Sequence, residues 1–302
     1  MPLPPLTDPE SRAERAAGLM RALPAVFFLS TSLLGFNAAQ TASTLLLPVS
    51  RKKFRAFNRW AADSFWSWCV RLSEITHGIG IQLTGDDVPP GENAIVVANH
   101  QQMTDITFLL FFARDKGSLG DMKWMLKDII KYVPGVGWGL YFLDSFFVKR
   151  DWAKDRASIE DTFARIIKDN IPVWMVTFAE GTRITPAKLE KSQDYARKKG
   201  LTPTRHVMLP RTKGFTASLQ GLRKQLDAVY DITIGYESGV PTLWQYIRGF
   251  VKTAHLHVRR FPIADLPASD AEISTWLVER YCEKDRLLDH FYVHGAFPAG
   301  KE

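Results

Sequence analysis

The stretch from Ala22 to Ser50 carries no charged residue, and Arg51, Lys52, Lys53, Arg55 and Arg59 follow it at once. No other feature restricts the fold as firmly. About 20 consecutive apolar residues suffice to cross the hydrocarbon core as a helix, so this stretch is long enough to span or enter a bilayer. Asn37, Gln40 and several Ser and Thr interrupt it, which leaves a re-entrant or half-buried helix pair open. Arg12, Arg15 and Arg21 ahead of an apolar region also fit a cleaved signal peptide, although the stretch is long for such a leader's apolar region. By the positive-inside bias, the basic run after Ser50 keeps the C-terminal side in the cytosol.

From Lys52 to about Ile75, Phe54, Phe57, Ala61, Phe65, Trp68, Leu72 and Ile75 recur at three- and four-residue steps, as on one face of a helix. With arginines in its first turns and Trp60, Trp66 and Trp68 nearby, it reads as an interfacial helix rather than an ordinary core helix. Three parts are expected: a flexible N-terminus over 1–21, membrane-anchoring helices over 22–77, and a catalytic domain over 78–302.

Beyond Asp87, short apolar runs alternate with longer amphipathic segments, the pattern of an α/β domain. Strands are expected near 94–98, 145–149, 172–178, 206–209, 229–235 and 253–260. Helices are expected near 104–114, 125–132, 152–169, 186–199, 215–226 and 270–290. A formal net charge of +7 favours an anionic partner. No basic run is interleaved with aromatics as in single-strand binders, so membrane lipid or a phosphorylated small molecule fits better than nucleic acid. Cys69 and Cys282 suggest neither a disulfide framework nor metal spacing, and a reducing, cytosol-facing setting is the default.

Four apolar runs end in polar residues at what should be one edge of one sheet. The first delivers Asn99-His100, with Asp105 five positions on. An imidazole there can take a proton near neutral pH, and a carboxylate can fix its tautomer; a purely structural hydrogen bond is the competing reading. The second ends in Lys149-Arg150, the third in Glu180-Gly181-Thr182-Arg183, and the fourth in Pro210-Arg211-Thr212-Lys213-Gly214. Guanidinium binds phosphate bidentately and ammonium binds it as a point charge, while Gly181 and Gly214 allow close backbone approach. Each has a plainer explanation: a Glu180–Arg183 salt bridge, a solvated strand end at Lys149-Arg150, a strand stop at Pro210. No Gly-x-Ser-x-Gly elbow is present. His255 and His257 lack a third ligand at metal spacing, and Gly135-Val136-Gly137-Trp138-Gly139 lacks the spacing of a phosphate loop.

Taken in order, Asn-His-x-x-x-x-Asp, Phe-x-Lys-Arg, Phe-x-Glu-Gly-Thr-Arg and Leu-Pro-Arg-Thr-Lys-Gly-Phe resemble the boxes of the glycerolipid acyltransferases. The likeness is greatest to the eukaryotic-type 1-acylglycerol-3-phosphate acyltransferases and their lysocardiolipin and lysophosphatidylinositol relatives. It runs from about Phe28 to Pro298 and includes Thr185-Pro186-Ala187-Lys188-Leu189, Glu283-Lys284-Asp285 and Gly295-Ala296-Phe297-Pro298. Asp144 and Ala179 depart from the commoner glycine and proline of the second and third boxes, without removing a catalytic group.

The resemblance implies a mixed, mostly parallel sheet flanked by helices, with an N-terminal membrane-associated segment. It implies acyl transfer from acyl-CoA to the free hydroxyl of a lysophospholipid, foremost 1-acylglycerol-3-phosphate, in phospholipid synthesis or remodelling. His100 would be the general base and Asp105 its orienting partner. Lys149, Arg150, Glu180, Gly181, Thr182 and Arg183 would hold the acceptor; Pro210, Arg211 and Lys213 would contribute near the donor. Neither metal nor cofactor is implied, since a thioester is already activated; acyl-CoA is a co-substrate, and an acyl-carrier-protein donor is an alternative. A headgroup-bearing acceptor such as lysophosphatidylinositol, and a non-catalytic lipid-binding scaffold, are the competing functions. Without the C-terminal apolar helices of many animal relatives, attachment is expected to rest on 22–77, at a bacterial inner membrane or the endoplasmic reticulum according to source.

Overall fold

A computed structural model of the chain describes residues 3–149 and 152–298. Seven strands form one sheet in the order β1-β7-β6-β2-β5-β3-β4. They are β1 (Gly80–Gly85), β2 (Ala94–Ala98), β3 (Met122–Lys127), β4 (Phe146–Val148), β5 (Trp174–Thr177), β6 (Ala228–Gly235) and β7 (Thr253–Pro262). Every pairing is parallel except β6 with β7, so β2 to β6 share one direction and end at one edge. The mixed, mostly parallel α/β architecture expected from the sequence is the one observed.

β2 shows why the sheet is buried on both faces. Ala94, Val96 and Ala98 point into one apolar cluster and Ile95 and Val97 into the other, because successive side chains alternate. Helix α3 (Thr104–Asp115) covers the first face through Phe108, Leu109 and Phe112. Helices α5 (Trp152–Lys168), α7 (Thr212–Leu222) and α9 (Asp270–His294) cover the second. A strand without a polar face ends in polar residues only where the sheet ends, and that places His100.

The N-terminal part departs from expectation in its start. Helix α1 (Arg12–Ala42) begins before the apolar stretch, capped by Ser11. Residues 3–11 are docked rather than loose. The Leu6 amide donates to Val240 O at 3.0 Å, and Gln245 Nε2 donates to Leu6 O and Asp8 Oδ1, each at 2.8 Å. A turn over Ser43–Ser50 leads into α2 (Arg51–His77), which lies back along α1: Phe28 meets Trp68 and Phe36 meets Trp60 and Phe65. Asn37, Gln40 and Ser43, three of the polar residues that interrupt the apolar stretch, are buried, and Asn58 of α2 donates to Ser43 Oγ at 3.0 Å. The outer surface of α1 is left apolar.

Two expected elements differ in kind. The residues near 125–132, read as a helix, are instead strand β3 followed by a 3-10 turn over Asp128–Tyr132. The residues 206–209, read as a strand, join no sheet. Their amides are taken by side chains: His206 N donates to Asp285, Met208 N to Glu180 and Leu209 N to Ser192. Helices α4 (Val136–Tyr141), α6 (Pro186–Lys198) and α8 (Leu243–Ile247) complete the chain.

Candidate active site

β2 ends at Ala98, and a five-residue connection brings the chain round into α3 with Asp105 in its first turn. A carboxylate there faces unpaired amides and the positive end of the helix dipole. Asp105 is fully buried, and four donors compensate its removal from water. On Oδ2 these are the Gln101 amide at 2.6 Å, the Gln102 amide at 2.8 Å and His100 Nδ1 at 2.9 Å. Tyr236 Oη donates to Oδ1 at 2.7 Å. Burial, with the Asp105 charge added, pushes the Tyr236 phenol well up, so it stays a donor.

The imidazole is thus held at Nδ1, and Phe178 stacks on its face with centroids 4.0 Å apart and 16° between the planes. Its Nε2 has no hydrogen-bond partner among the described residues, and the ring is part-exposed. With Nδ1–H spent on the carboxylate, Nε2 is the lone-pair nitrogen. That open nitrogen can accept a proton.

Glu180 follows the same edge at the end of β5 but turns inward. It is buried, and its oxygens accept from the His100 amide at 2.9 Å and the Met208 amide at 3.3 Å. Burial raises this carboxyl to about 8, against the two amide bonds that pull it down. No Glu180–Arg183 salt bridge forms: Arg183 is exposed and its Nη1 donates to Gln102 Oε1. Gly181 adopts φ +73, and a Cβ there would lie 3.1 Å from Arg211 Cδ, so only glycine suits both the backbone and the neighbour. The Arg211 amide donates to Ala179 O at 2.7 Å, which fastens the fourth box to the third. Lys188 Nζ closes the loop onto Thr182 Oγ1 at 2.8 Å and Arg183 O at 3.0 Å.

The structure therefore brings His100, Asp105, Glu180, Gly181, Thr182, Arg183, Pro210 and Arg211 together. Lys213 opens α7 beside them, and Lys149 lies at the end of β4, farther along the same edge. Lys149, Arg183, Arg211 and Lys213 are exposed, and no ion pair engages them among the described residues. Arg150 lies outside the described residues. His255 and His257 have separate partners: Glu237 at 2.5 Å and Thr84 at 3.0 Å.

Three residues that sequence reasoning did not assign complete the site. Tyr236 stands just past β6 with no motif around it. Gln102 holds Arg183. Lys284, within the Glu283-Lys284-Asp285 run, is fully buried behind the site. It pairs with Asp231 and donates to Ile232 O at 2.6 Å and Val97 O at 3.3 Å. Burial depresses Lys284 and raises Asp231, and each charge opposes the other's shift.

An open imidazole nitrogen on the carboxyl edge of an α/β sheet, backed by a buried carboxylate and with exposed cations on the same edge, can accept a proton beside an anion. Family comparison narrows this. Residues 80–237 match the acyltransferase family model and 245–302 that of the acyltransferase C-terminus. The 1-acyl-sn-glycerol-3-phosphate acyltransferase 2 of Arabidopsis thaliana is 33% identical over 294 residues, 95% of this chain and 75% of that one. The gamma form from Homo sapiens is 34% identical over 277 residues, covering 90% and 74%. The crystal structure of the 1-acyl-sn-glycerophosphate (LPA) acyltransferase PlsC from Thermotoga maritima shares the fold, with TM-score 0.53 and 18% identity over 90% of this chain and 97% of that one. The chain is a member of the acyltransferase family, in the branch of the 1-acyl-sn-glycerol-3-phosphate acyltransferases, and is an enzyme of acyl transfer.

Proposed function

We propose that the enzyme transfers an acyl chain from acyl-CoA to the free hydroxyl of 1-acylglycerol-3-phosphate, giving phosphatidic acid. The observation that carries the mechanism is the Nδ1–Asp105 bond at 2.9 Å, with Nε2 left open. His100 Nε2 takes the hydroxyl proton as the oxygen attacks the thioester carbonyl. Asp105 holds the ring and opposes the positive charge that forms on it. The tetrahedral intermediate then expels the CoA thiolate, which takes up the proton. General-base help of this kind contributes about 10²–10⁴-fold. The relatives' names supply the acceptor; exposed Arg183, Arg211 and Lys213 supply the charge its phosphate needs. Glu180 serves the acceptor indirectly, by fixing the loops that carry His100 and Arg211.

Helix α1 and the turn after it, Arg12–Leu46, are long and apolar enough to cross a membrane; the most apolar window has mean hydropathy 1.6 and is 6% buried. Attachment to a membrane through this helix, with the basic start of α2 and the catalytic domain on the cytosolic side, is part of the same proposal. The test is a panel: purified protein, acyl-CoA, and lysophosphatidic acid, lysophosphatidylinositol and monoacylglycerol in parallel. Lysophosphatidic acid is expected to give the highest kcat/KM; a headgroup-bearing acceptor in first place overturns the assignment. Arg183→Ala should lose more with the phosphate-bearing acceptors than with monoacylglycerol, and equal losses count against its phosphate role.

A further inference from the structure

The apolar outer surface does not stop at the N-terminal helices. Between β3 and β4 the chain makes the 3-10 turn over Asp128–Tyr132 and helix α4, and this excursion sits on α1. Its glycines face inward. A Cβ on Gly135 would lie 2.7 Å from Leu33 Cδ2, and one on Gly139 would lie 3.4 Å from Asn37 Nδ2 and Gln40 Oε1. Its bulky residues face out: Ile129, Tyr132 and Tyr141 are 64%, 66% and 67% exposed, and Val133, Val136 and Trp138 are exposed as well. Phe27 and Leu34 of α1, the helix it packs on, and Trp60 of α2 are exposed too. So many exposed bulky apolar side chains on neighbouring elements are uncommon on a surface that meets only water.

We propose that the segment Ile129–Tyr141 is a third membrane-contacting element, seated in the interface of an anionic bilayer beside α1. This rests on the reading of α1 as membrane-attached. Tryptophan and tyrosine suit the headgroup level, where an apolar ring can be buried and its polar tip hydrated. The cations fit the same place: Lys127 is exposed, and Lys131, paired with Asp128 at 2.7 Å, lies 5.0 Å over the Tyr132 ring. Exposed Arg51, Lys52 and Lys53 open the neighbouring α2. Each unpaired cation is worth about 1 kcal/mol against an anionic surface.

The placement has a consequence for catalysis. The segment leaves the sheet at the carboxyl end of β3, the edge that also carries His100, and β3 is separated from β2 only by β5. At the usual strand spacing that is about 10 Å. Anchoring it brings the open edge of the site to the bilayer surface, so a lysolipid can present its headgroup while its acyl tail stays in the membrane.

The test uses the full-length chain with Cys69 and Cys282 replaced by alanine and single cysteines at Tyr132, Tyr141, Phe27 or Thr275. Each carries an environment-sensitive fluorophore, and each protein is reconstituted in vesicles of phosphatidylcholine and phosphatidylglycerol. Labels at 27, 132 and 141 are expected to blue-shift and to be quenched at least twofold more by nitroxide-bearing lipid than the label at 275, on α9. Quenching at 27 with none at 132 and 141 overturns the proposal and leaves the attachment of α1 intact; loss of quenching at 27 as well removes both. A blue shift at 132 and 141 that follows protein concentration rather than lipid assigns the patch to a second copy of the chain, and also overturns the proposal.

Discussion

Replacing Asp105 by asparagine separates the two things this carboxylate does. Asparagine keeps the shape, and the surroundings dictate its orientation. Oδ2 accepts from the Gln101 amide, the Gln102 amide and His100 Nδ1, so the amide oxygen must take that place. The NH2 group then faces Tyr236 Oη, a hydroxyl that can rotate to accept. Ring orientation and tautomer survive, and only the charge is lost. Imidazolium and carboxylate, with charge centres about 4 Å apart, interact by about 4 kcal/mol at an effective dielectric constant near 20. That energy appears only as His100 becomes charged, so Asp105→Asn should slow the chemical step about 10³-fold. Single-turnover release of CoA, followed with a thiol reagent, measures it. A melting temperature within about 5 °C of the parent shows that the fold is intact. A loss of under about tenfold in a folded variant refutes the electrostatic role of Asp105.

Glu180 and Lys284 give two further tests. The Glu180 carboxyl stands at about 8 when folded, above its ordinary 4.5; the native state therefore binds this proton more tightly than the unfolded one. That contribution to stability is complete below about pH 4.5 and is lost as pH rises through about 8. Glu180→Gln should flatten the fall in urea midpoint across this window; parallel curves for parent and variant contradict it. The variant should also lose about 1–3 kcal/mol, because its NH2 must face the amide of His100 or Met208. Lys284→Met leaves Asp231 buried without its partner and should cost about 3–5 kcal/mol in urea unfolding, while Lys284→Met combined with Asp231→Leu should recover much of it. A double variant no more stable than the single one contradicts the pairing.

Most of the sheet and its flanking helices were legible in the sequence, because strands buried on both faces read as apolar runs and amphipathic helices keep their period. The misreadings have definite causes. Strand β1, Gly80–Gly85, lies at the sheet edge with three exposed positions and a glycine at each end, so it shows no apolar run. Met125–Tyr132 mixes strand and 3-10 turn in one apolar stretch, where periodicity cannot tell helix from strand. Residues 206–209 are as apolar as a strand, but Asp285, Glu180 and Ser192 claim the amides a ladder would need. Of the site, the His100–Asp105 pair was legible from its spacing and its place after a strand. Tyr236 and Lys284 were not, because each reaches the site from a distant part of the sequence and only the folded chain shows what it touches. Glu180 was read as a group facing the acceptor; the carboxyl instead faces two backbone amides, a partner no sequence pattern reports.

The most direct test is acyl transfer by His100→Ala. With acyl-CoA and lysophosphatidic acid, the variant should retain membrane binding and fold while CoA release falls by about 10²–10⁴-fold. A rate equal to that of the parent enzyme would remove His100 from the chemistry and, with it, the proposed mechanism.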